Sequence, residues 1–414
     1  MTTKTLNLFL FNMSSAKNTT GVDRYIKTLI RGLNSIKNIK IFWINLSEDN
    51  SKLFVHEEEE DGCMKISIPL PFQSDEIIRH RFWIRKYNEY IFSLTRRFFE
   101  GKSHIILHIH TINLIDLALF IREQVPCKII THLHCIPWKE YYNTRMPYFN
   151  LLYDQVYIKK CAVDTSHFIT NNCELDSYKL SDHVVCVTGC AREFLTSYIQ
   201  KKDHEVTVIP NGMDDFRIPG VKDKTNSPLK LIYVGVLTKS KGLWYILDAL
   251  NIVKERGFDV SLVIAGRSYA DDREKILKKY KDLSLEFLGV VPFDVLKGYY
   301  QSCDIGVIAS LQEQSSYVAI EMAMFGLPVI TTAVDGLDEM FTDGIDALKV
   351  NTTFSKIFGL RVDIQMYADK IISLIQDEDL RIRLGKNARI LYEEKMSLTR
   401  MIDQTKSVYQ KIIN

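Results

Sequence analysis

Nothing in the 414-residue sequence approaches 18 uninterrupted apolar residues, so a membrane-spanning helix, which needs about 20, is not expected. A surplus of one charge is missing as well: 53 Lys and Arg stand against 51 Asp and Glu, a net charge of +2. A dedicated nucleic-acid binder carries a basic excess, so that class is set aside. The eight cysteines contain no Cys-x-x-Cys pair and no matching histidine pair. That argues against structural zinc and against a dense disulfide framework. They read as free, mostly buried thiols, and the reducing cytoplasm is the expected location. The opening MTTKTLNLFLFNMSS has an apolar run without a small-residue cleavage site and reads as a first strand, not a signal peptide. Neither residues 9–21 nor residues 234–242 supply G-x-G-x-x-G, which disfavours a nicotinamide-dependent oxidoreductase.

What is present is alternation. The length suits two domains of roughly 200 residues. Apolar runs at 6–11, 39–45, 105–110, 128–134, 183–187 and 205–209 predict strands of the first half, most of them apolar on both faces as a parallel sheet requires. Residues 22–36 carry Val22, Tyr25, Ile26, Leu29, Ile30 and Leu33 at helical spacing. The polar, Pro- and Gly-bearing stretch 214–229 reads as a linker. Beyond it, strands are expected at 230–234, 261–265, 284–288, 305–308 and 328–331, with helices from about 242, near 271–280, 294–301 and 317–325, and two terminal helical segments. The fold class is α/β, two Rossmann-like domains facing across a cleft. The expected division is residues 1–214, an acceptor domain; 215–390, a donor domain; and 391–414, a helix returning to the first. The acidic run 57–61 reads as a solvated loop.

The densest chemistry lies between Cys303 and Gly344. A strand runs into the polar loop 310–316, which feeds a helix starting near Tyr317. Ser315 and Ser316 suit an N-cap, and the amides of Ser316, Tyr317 and Val318 at the positive end of a helix dipole suit a diphosphate. Glu313 and Glu321 fall in the loop and the early helix. Carboxylates accept from adjacent hydroxyls, as sugar and ribose recognition demands, or serve as a hydrolase pair. The spacing is equally that of two solvated residues.

Glu313-x7-Glu321, Gly326-Leu-Pro328 and Asp335-Gly336-x-x-Glu339 together resemble the signature of the retaining glycosyltransferases of family 4, of GT-B fold. Thr20-Gly21-Val22-Asp23-Arg24 resembles the first-strand glycine loop. His108-Ile-His110 and Thr131-His132-Leu-His134 resemble two histidine-bearing strand ends, Ile209-Pro210-Asn211-Gly212-Met-Asp214 the entry to the linker, and Lys241-Gly242 the phosphate lysine. The resemblance implies transfer from a nucleotide-diphosphate sugar, a substrate and not a cofactor, to a saccharide or lipid-linked acceptor in surface polysaccharide or glycolipid synthesis. Glu313 is implied to hold the sugar, Glu321 the ribose, and Lys241 with the amides after Ser315 the diphosphate. Gly21 and Gly235 would admit phosphate closely, and His134 would contact sugar or acceptor. The catalytic set is then Glu313, His134 and Lys241. The family's Gly-Arg stands here as Gly235-Val236, which loses a planar phosphate fork; Lys239 is the nearest replacement.

Other readings stay open. The paired histidines on two strands are compatible with a metal site, but no carboxylate or cysteine pattern completes one, and a cleft or packing role is expected. No ion-binding Asp-x-Asp is recognised, so no metal is implied. Residues 77–102 hold seven Lys or Arg and two Glu among aromatic side chains; a core-packing helix or a peripheral membrane contact both fit. A catalytically silent nucleotide-binding partner, suggested by Val236, and a nucleotide-sugar epimerase are the competing functions.

Overall fold

The computed structural model describes residues 5–14, 21–47, 54–70, 81–136, 172–217, 228–268, 271–355 and 359–413. Two compact units emerge: of the described residues, one holds those through His134, those from 172 to Pro210 and those from Leu398; the other holds Cys135, Ile136 and those from Asn211 to Ser397.

Strand β1 (Leu6–Ser14) buries Leu8, Phe9, Leu10 and Phe11 in succession, which only a sheet covered on both faces permits. It is central in the first unit's sheet, whose order is β3-β4-β2-β1-β5-β6-β7-β8. The partners are β2 (Ile39–Ser47), β3 (His56–Glu60), β4 (Cys63–Pro69), β5 (Ile105–Ile109), β6 (Lys128–Leu133), β7 (His183–Cys186) and β8 (Val206–Val208). All pair in parallel except β3 with β4. Helices α1 (Gly21–Asn34), α2 (Arg81–Thr95), α3 (Ile115–Gln124), α4 (Asn172–Leu180) and α5 (Gly189–Glu193) connect them.

The acidic run expected to be a solvated loop is instead the edge strand β3. Its alternation sends Glu58 and Glu60 to Lys65 of β4, and Glu57 to Arg97. Cross-strand ion pairs hold a sequence whose glutamates disfavour strand by themselves. Along 77–102, residues 77–80 fall outside the described residues. Ile91 and Phe99 are buried, and Phe99 stacks on Phe9 at 4.1 Å. Tyr90, Arg85 and Arg96 stay outward.

In the second unit β9 (Leu229–Val234), β10 (Val260–Ala265), β11 (Ser284–Gly289), β12 (Ile305–Ile308), β13 (Val329–Thr332) and β14 (Ala347–Val350) form a parallel sheet of order β11-β10-β9-β12-β13-β14. Leu231 and Tyr233 face one core and Ile232 the other. The helices are α6 (Leu243–Glu255), α7 (Asp272–Lys279), α8 (Phe293–Ser302), α9 (Tyr317–Phe325), α10 (Asp335–Met340), α11 (Ile364–Gln376) and α12 (Glu378–Lys395). After β13 the sequence suggested only two helical segments. The structure has α10, β14, the hairpin β15 (Thr352–Ser355) with β16 (Gly359–Val362), α11, α12 and α13 (Leu398–Ile413). Helix α13 belongs to the first unit, where Ile402 fills the space that a side chain at Gly32 of α1 would need.

Of the expected linker, residues 218–227 lie outside the described residues, while Asp215 is paired with Arg389 of α12. The triplet Asp377-Glu378-Asp379 has Asp-x-Asp spacing, overlooked in the sequence. Its Asp377 caps α12 by accepting from the Leu380 amide at 2.8 Å, a cap worth about 1 kcal/mol. Cys63, Cys127 and Cys303 are free, and burial pushes their thiols up to about 12.

Helices α9 and α12 meet at two glycines: a Cβ on Gly385 would lie 2.3 Å from the Gly326 carbonyl oxygen. Gly385→Ala should therefore destabilise by about 1–3 kcal/mol in urea unfolding, since backbone cannot yield as a side chain does. Gly298 of α8, with nothing within 4 Å of its Cβ position, is the control. Gly298→Ala should stabilise by up to about 1 kcal/mol through helix propensity. Equal effects at both sites would refute the close approach.

Candidate active site

The second sheet reverses its strand order between β9 and β12. Connections there leave toward opposite faces, and the gap beyond the strands' carboxyl ends is where open α/β sheets take ligands. After β9, the Gly235 amide donates to the Ala265 carbonyl at 2.9 Å and the Leu237 amide to that of Arg267 at 2.8 Å. Val236 is 38% exposed, and its carbonyl accepts from the Tyr233 hydroxyl at 3.2 Å. A 3-10 turn, Lys239–Lys241, ends at Gly242 with φ +74°. A Cβ there would stand 1.8 Å from the Ala309 carbonyl oxygen, so only glycine fits. The Leu311 amide donates to Ser240 at 2.8 Å. The two loops are thereby laced together, and Lys241 Nζ meets Glu313 Oε2 at 2.5 Å.

Helix α9 begins as its sequence suggests. Ser316 takes extended geometry, and its hydroxyl accepts from the Ala319 amide at 3.3 Å. The amides of Tyr317 and Val318 precede the first intrahelical acceptors, and both residues, with Ser315, are partly exposed. Asn211 donates to the Ser315 carbonyl at 3.4 Å. On the other side the Gly336 amide donates to the Glu313 carbonyl at 2.8 Å, where Asp335 holds φ +40°, an unusual backbone for a residue with a side chain.

Gly235, Lys241, Glu313, Ser315, Ser316, Tyr317 and Val318 thus gather around one edge of one sheet. Glu321 differs. It is 1% exposed, and its carboxylate accepts from the Tyr300 hydroxyl of α8 at 2.6 Å. Tyr300 stacks on Phe325 at 5.4 Å, so the acid is fixed from inside the helical layer. Sequence reasoning missed Tyr300, which no motif marks. It also missed Arg267, exposed in the loop whose backbone ladders onto Leu237. Its signal is a cation directly after Gly266, the glycine that follows β10.

Gly21 and His134 are on the first unit. Gly21 opens α1 with nothing within 4 Å of its Cβ position, so its own chain does not demand glycine. Next to it, Asn12 of β1 donates to Asp23 at 2.7 Å and accepts from Thr111 at 2.9 Å. His134 directly follows β6 and belongs to a square of imidazoles. His108 and His110 are tilted against each other with ring centroids 4.2 Å apart, and His132 and His134 stack at 4.1 Å. Across the strands His110 Nδ1 is 3.0 Å from His134 Nε2, and His132 Nδ1 is 3.3 Å from His108 Nε2. Tyr25 of α1 packs over the square, and the Tyr409 hydroxyl of α13 is 2.7 Å from His108 Nδ1. Burial, reinforced for His108 by His134 and His183, lowers His108 and His134 to about 3 and His110 and His132 well below 6.5.

A family model described as Glycosyltransferase Family 4 matches residues 19–217, and one described as Glycosyl transferases group 1 matches residues 214–391. An uncharacterized glycosyltransferase of Methanocaldococcus jannaschii is 27% identical over 71% of this chain and 80% of its own length. The capsular polysaccharide biosynthesis glycosyltransferase CapM of Staphylococcus aureus is 26% identical over 44% of this chain and 46% of its own. Two further M. jannaschii relatives are matched over 60% of their length. Among solved structures, Anabaena HepE in complex with UDP-glucose superposes with TM-score 0.68, at 12% identity over 97% of this chain and 99% of that one.

The four histidines stay neutral when folded and gain protons when unfolded, so their folded-state values lie below the ordinary 6.5. Stability present above pH 6.5 should therefore fall as pH drops toward 3, by up to about 1.4 kcal/mol per pH unit for each histidine. Glu174, pushed up to about 7 by burial, acts oppositely, losing stability as pH rises above 4.5. Urea midpoints of His132→Gln and the parent between pH 7.5 and 5 separate the two. The variant should show the flatter dependence, and parallel curves would refute a neutral buried imidazole.

Proposed function

We propose, since this chain belongs to the group 1 glycosyl transferases of glycosyltransferase family 4, that it moves a sugar from a nucleotide-diphosphate sugar to an acceptor hydroxyl with retention at the anomeric carbon. Its fold is GT-B, two parallel-sheet α/β domains. The observation that carries the reading is the convergence of Lys241, Glu313 and the α9 amino terminus at the strand-order reversal.

In this reading the diphosphate sits against the first amides of α9 and takes Lys241 as its counter-charge. Glu313 then exchanges an ammonium for the sugar's hydroxyls. The carbon–oxygen bond to phosphate breaks, a bond to the acceptor oxygen forms on the same face, and the acceptor proton passes to the departing phosphate. No protein nucleophile enters, and charge neutralisation falls to Lys241 and the helix, without a metal. Glu321 is proposed to accept from ribose while sharing its carboxylate with Tyr300. Gly21 and His134 are proposed as the first unit's own substrate contacts. Val236 supplies no phosphate donor, so Lys239 and Arg267 are the cations proposed to compensate.

CapM, named for capsular polysaccharide biosynthesis, and HepE, solved with UDP-glucose, support a saccharide or lipid-linked acceptor and a nucleotide-sugar donor. For a lipid-linked acceptor, the outward basic side of 77–102 is the proposed peripheral membrane contact. Val236 favours one second reading, nucleotide binding without turnover.

The test is calorimetric titration with nucleoside diphosphates, with product analysis by NMR. Lys241→Ala should weaken the best nucleotide by about tenfold or more, the scale of one charged hydrogen bond, and Glu321→Ala should weaken it as well. Glu313→Gln should leave nucleotide affinity level or higher, because it releases Lys241, while lowering transfer. Equal affinity in all three variants and the parent would overturn the site. An inverted product would overturn retention, and tight binding with no transfer to any acceptor would favour the silent reading.

A further inference from the structure

His108, His110 and His132 of the histidine square carry a chemistry that the proposed glycosyl transfer does not use. His108 lies on β5, His110 directly follows it and His132 lies on β6, so alternation and pairing bring three imidazoles to one face of the sheet. One ring nitrogen of each lies within 4.8 Å of the other two. His110 and His132 are 4% and 1% exposed, and the Nε2 atom of each has no hydrogen-bond partner among the described residues. Orphaned buried nitrogens are costly and rare. Two of them on members of one imidazole cluster are not accounted for by packing alone.

We propose that His108, His110 and His132 form a binding site for one first-row divalent metal ion of the zinc class. Three neutral imidazoles with no carboxylate or thiolate select that class over calcium or magnesium. Zinc–nitrogen bonds of about 2.0–2.1 Å place tetrahedral ligand nitrogens roughly 3.4 Å apart. Side-chain torsions must therefore draw the three together by about an ångström. Two outer contacts are available to the ligands: His108 Nδ1 lies 2.7 Å from the Tyr409 hydroxyl and His110 Nδ1 3.0 Å from His134 Nε2. With the proton on Nδ1, each imidazole donates outward and leaves Nε2 for the ion. The 3.3 Å contact of His132 Nδ1 with His108 Nε2 is the one ligation replaces. The fourth position goes to water or hydroxide, which brings the anionic charge the imidazoles lack. The ion ties β5, β6 and, through Tyr409, the terminal helix α13 into one unit. No step of the transfer reaction passes through it, and the proposal is independent of that reaction.

The experiment uses the full chain, stripped with chelator and titrated with Co²⁺ in the absence of any sugar nucleotide. One equivalent should bind with tetrahedral visible absorption, be displaced by Zn²⁺, and raise the first unit's melting temperature. His110→Gln and His132→Gln should each weaken binding by about 100-fold or more. Tyr409→Phe, which keeps the packing, should weaken it by about tenfold, the usual effect of an outer-shell loss. His204→Gln, on an exposed turn, should change nothing. If the ligand variants do not fold, the parent's stoichiometry and Tyr409→Phe decide. Absence of stoichiometric Co²⁺ binding, or binding indifferent to these substitutions, overturns the proposal.

Discussion

The second unit depends on the contact of Gly242 with the Ala309 carbonyl. Two loops leave adjacent parallel strands in opposite directions, and only a residue without Cβ lets them pass within van der Waals distance there. With that approach allowed, the Leu311 amide reaches Ser240 and the Lys241 ammonium reaches Glu313. Any larger residue at 242 separates the loops and removes the polar cluster along with the fold of the turn. Backbone geometry, set by the order of strands in a sheet, comes first, and the charge pairing follows from it.

The pairing itself has a consequence for ligands. Lys241 and Glu313 are both partly exposed, so their attraction is weakened by water and salt. A diphosphate bearing more charge, seated on helix amides that do not reorganise, competes well for the same ammonium. The carboxylate released is then free to accept from hydroxyls. One ion pair thus keeps two binding groups oriented before substrate arrives, and its weakness is what permits the exchange.

Much of this was legible in the sequence, and the illegible parts share a cause. Strands β1, β9 and β12 announce themselves because both faces are apolar, and Ser316 announces the start of α9 because few residues cap a helix. β3 was hidden because its glutamates are stabilised by Lys65, Lys27 and Arg97 on other elements. The helix-rich end concealed β14 and a hairpin of four-residue strands, too short for a period to register. Glu313 was placed on the site edge by its loop. The direction of Glu321 was not readable, since seven intervening residues cross a change from loop to helix. Two histidines on one strand face can be read from alternation, but that β5 and β6 are neighbours is a fact of topology.

Glu321 shows how burial and recognition are joined. A carboxylate at 1% exposure has already lost its water, and the Tyr300 hydroxyl at 2.6 Å replaces only part of it. The cost of desolvation is therefore borne in folding, ahead of any ligand. Phe325 holds the Tyr300 ring, and the Gly326–Gly385 contact holds the end of the helix that carries both Phe325 and Glu321. Orientation of one acid is thus secured by close packing on three elements, α8, α9 and α12. Substitutions at that packing, far from any charge, act on the acid through its position, which is why the glycines that end and flank α9 belong to the site's physics as much as the residues that face solvent.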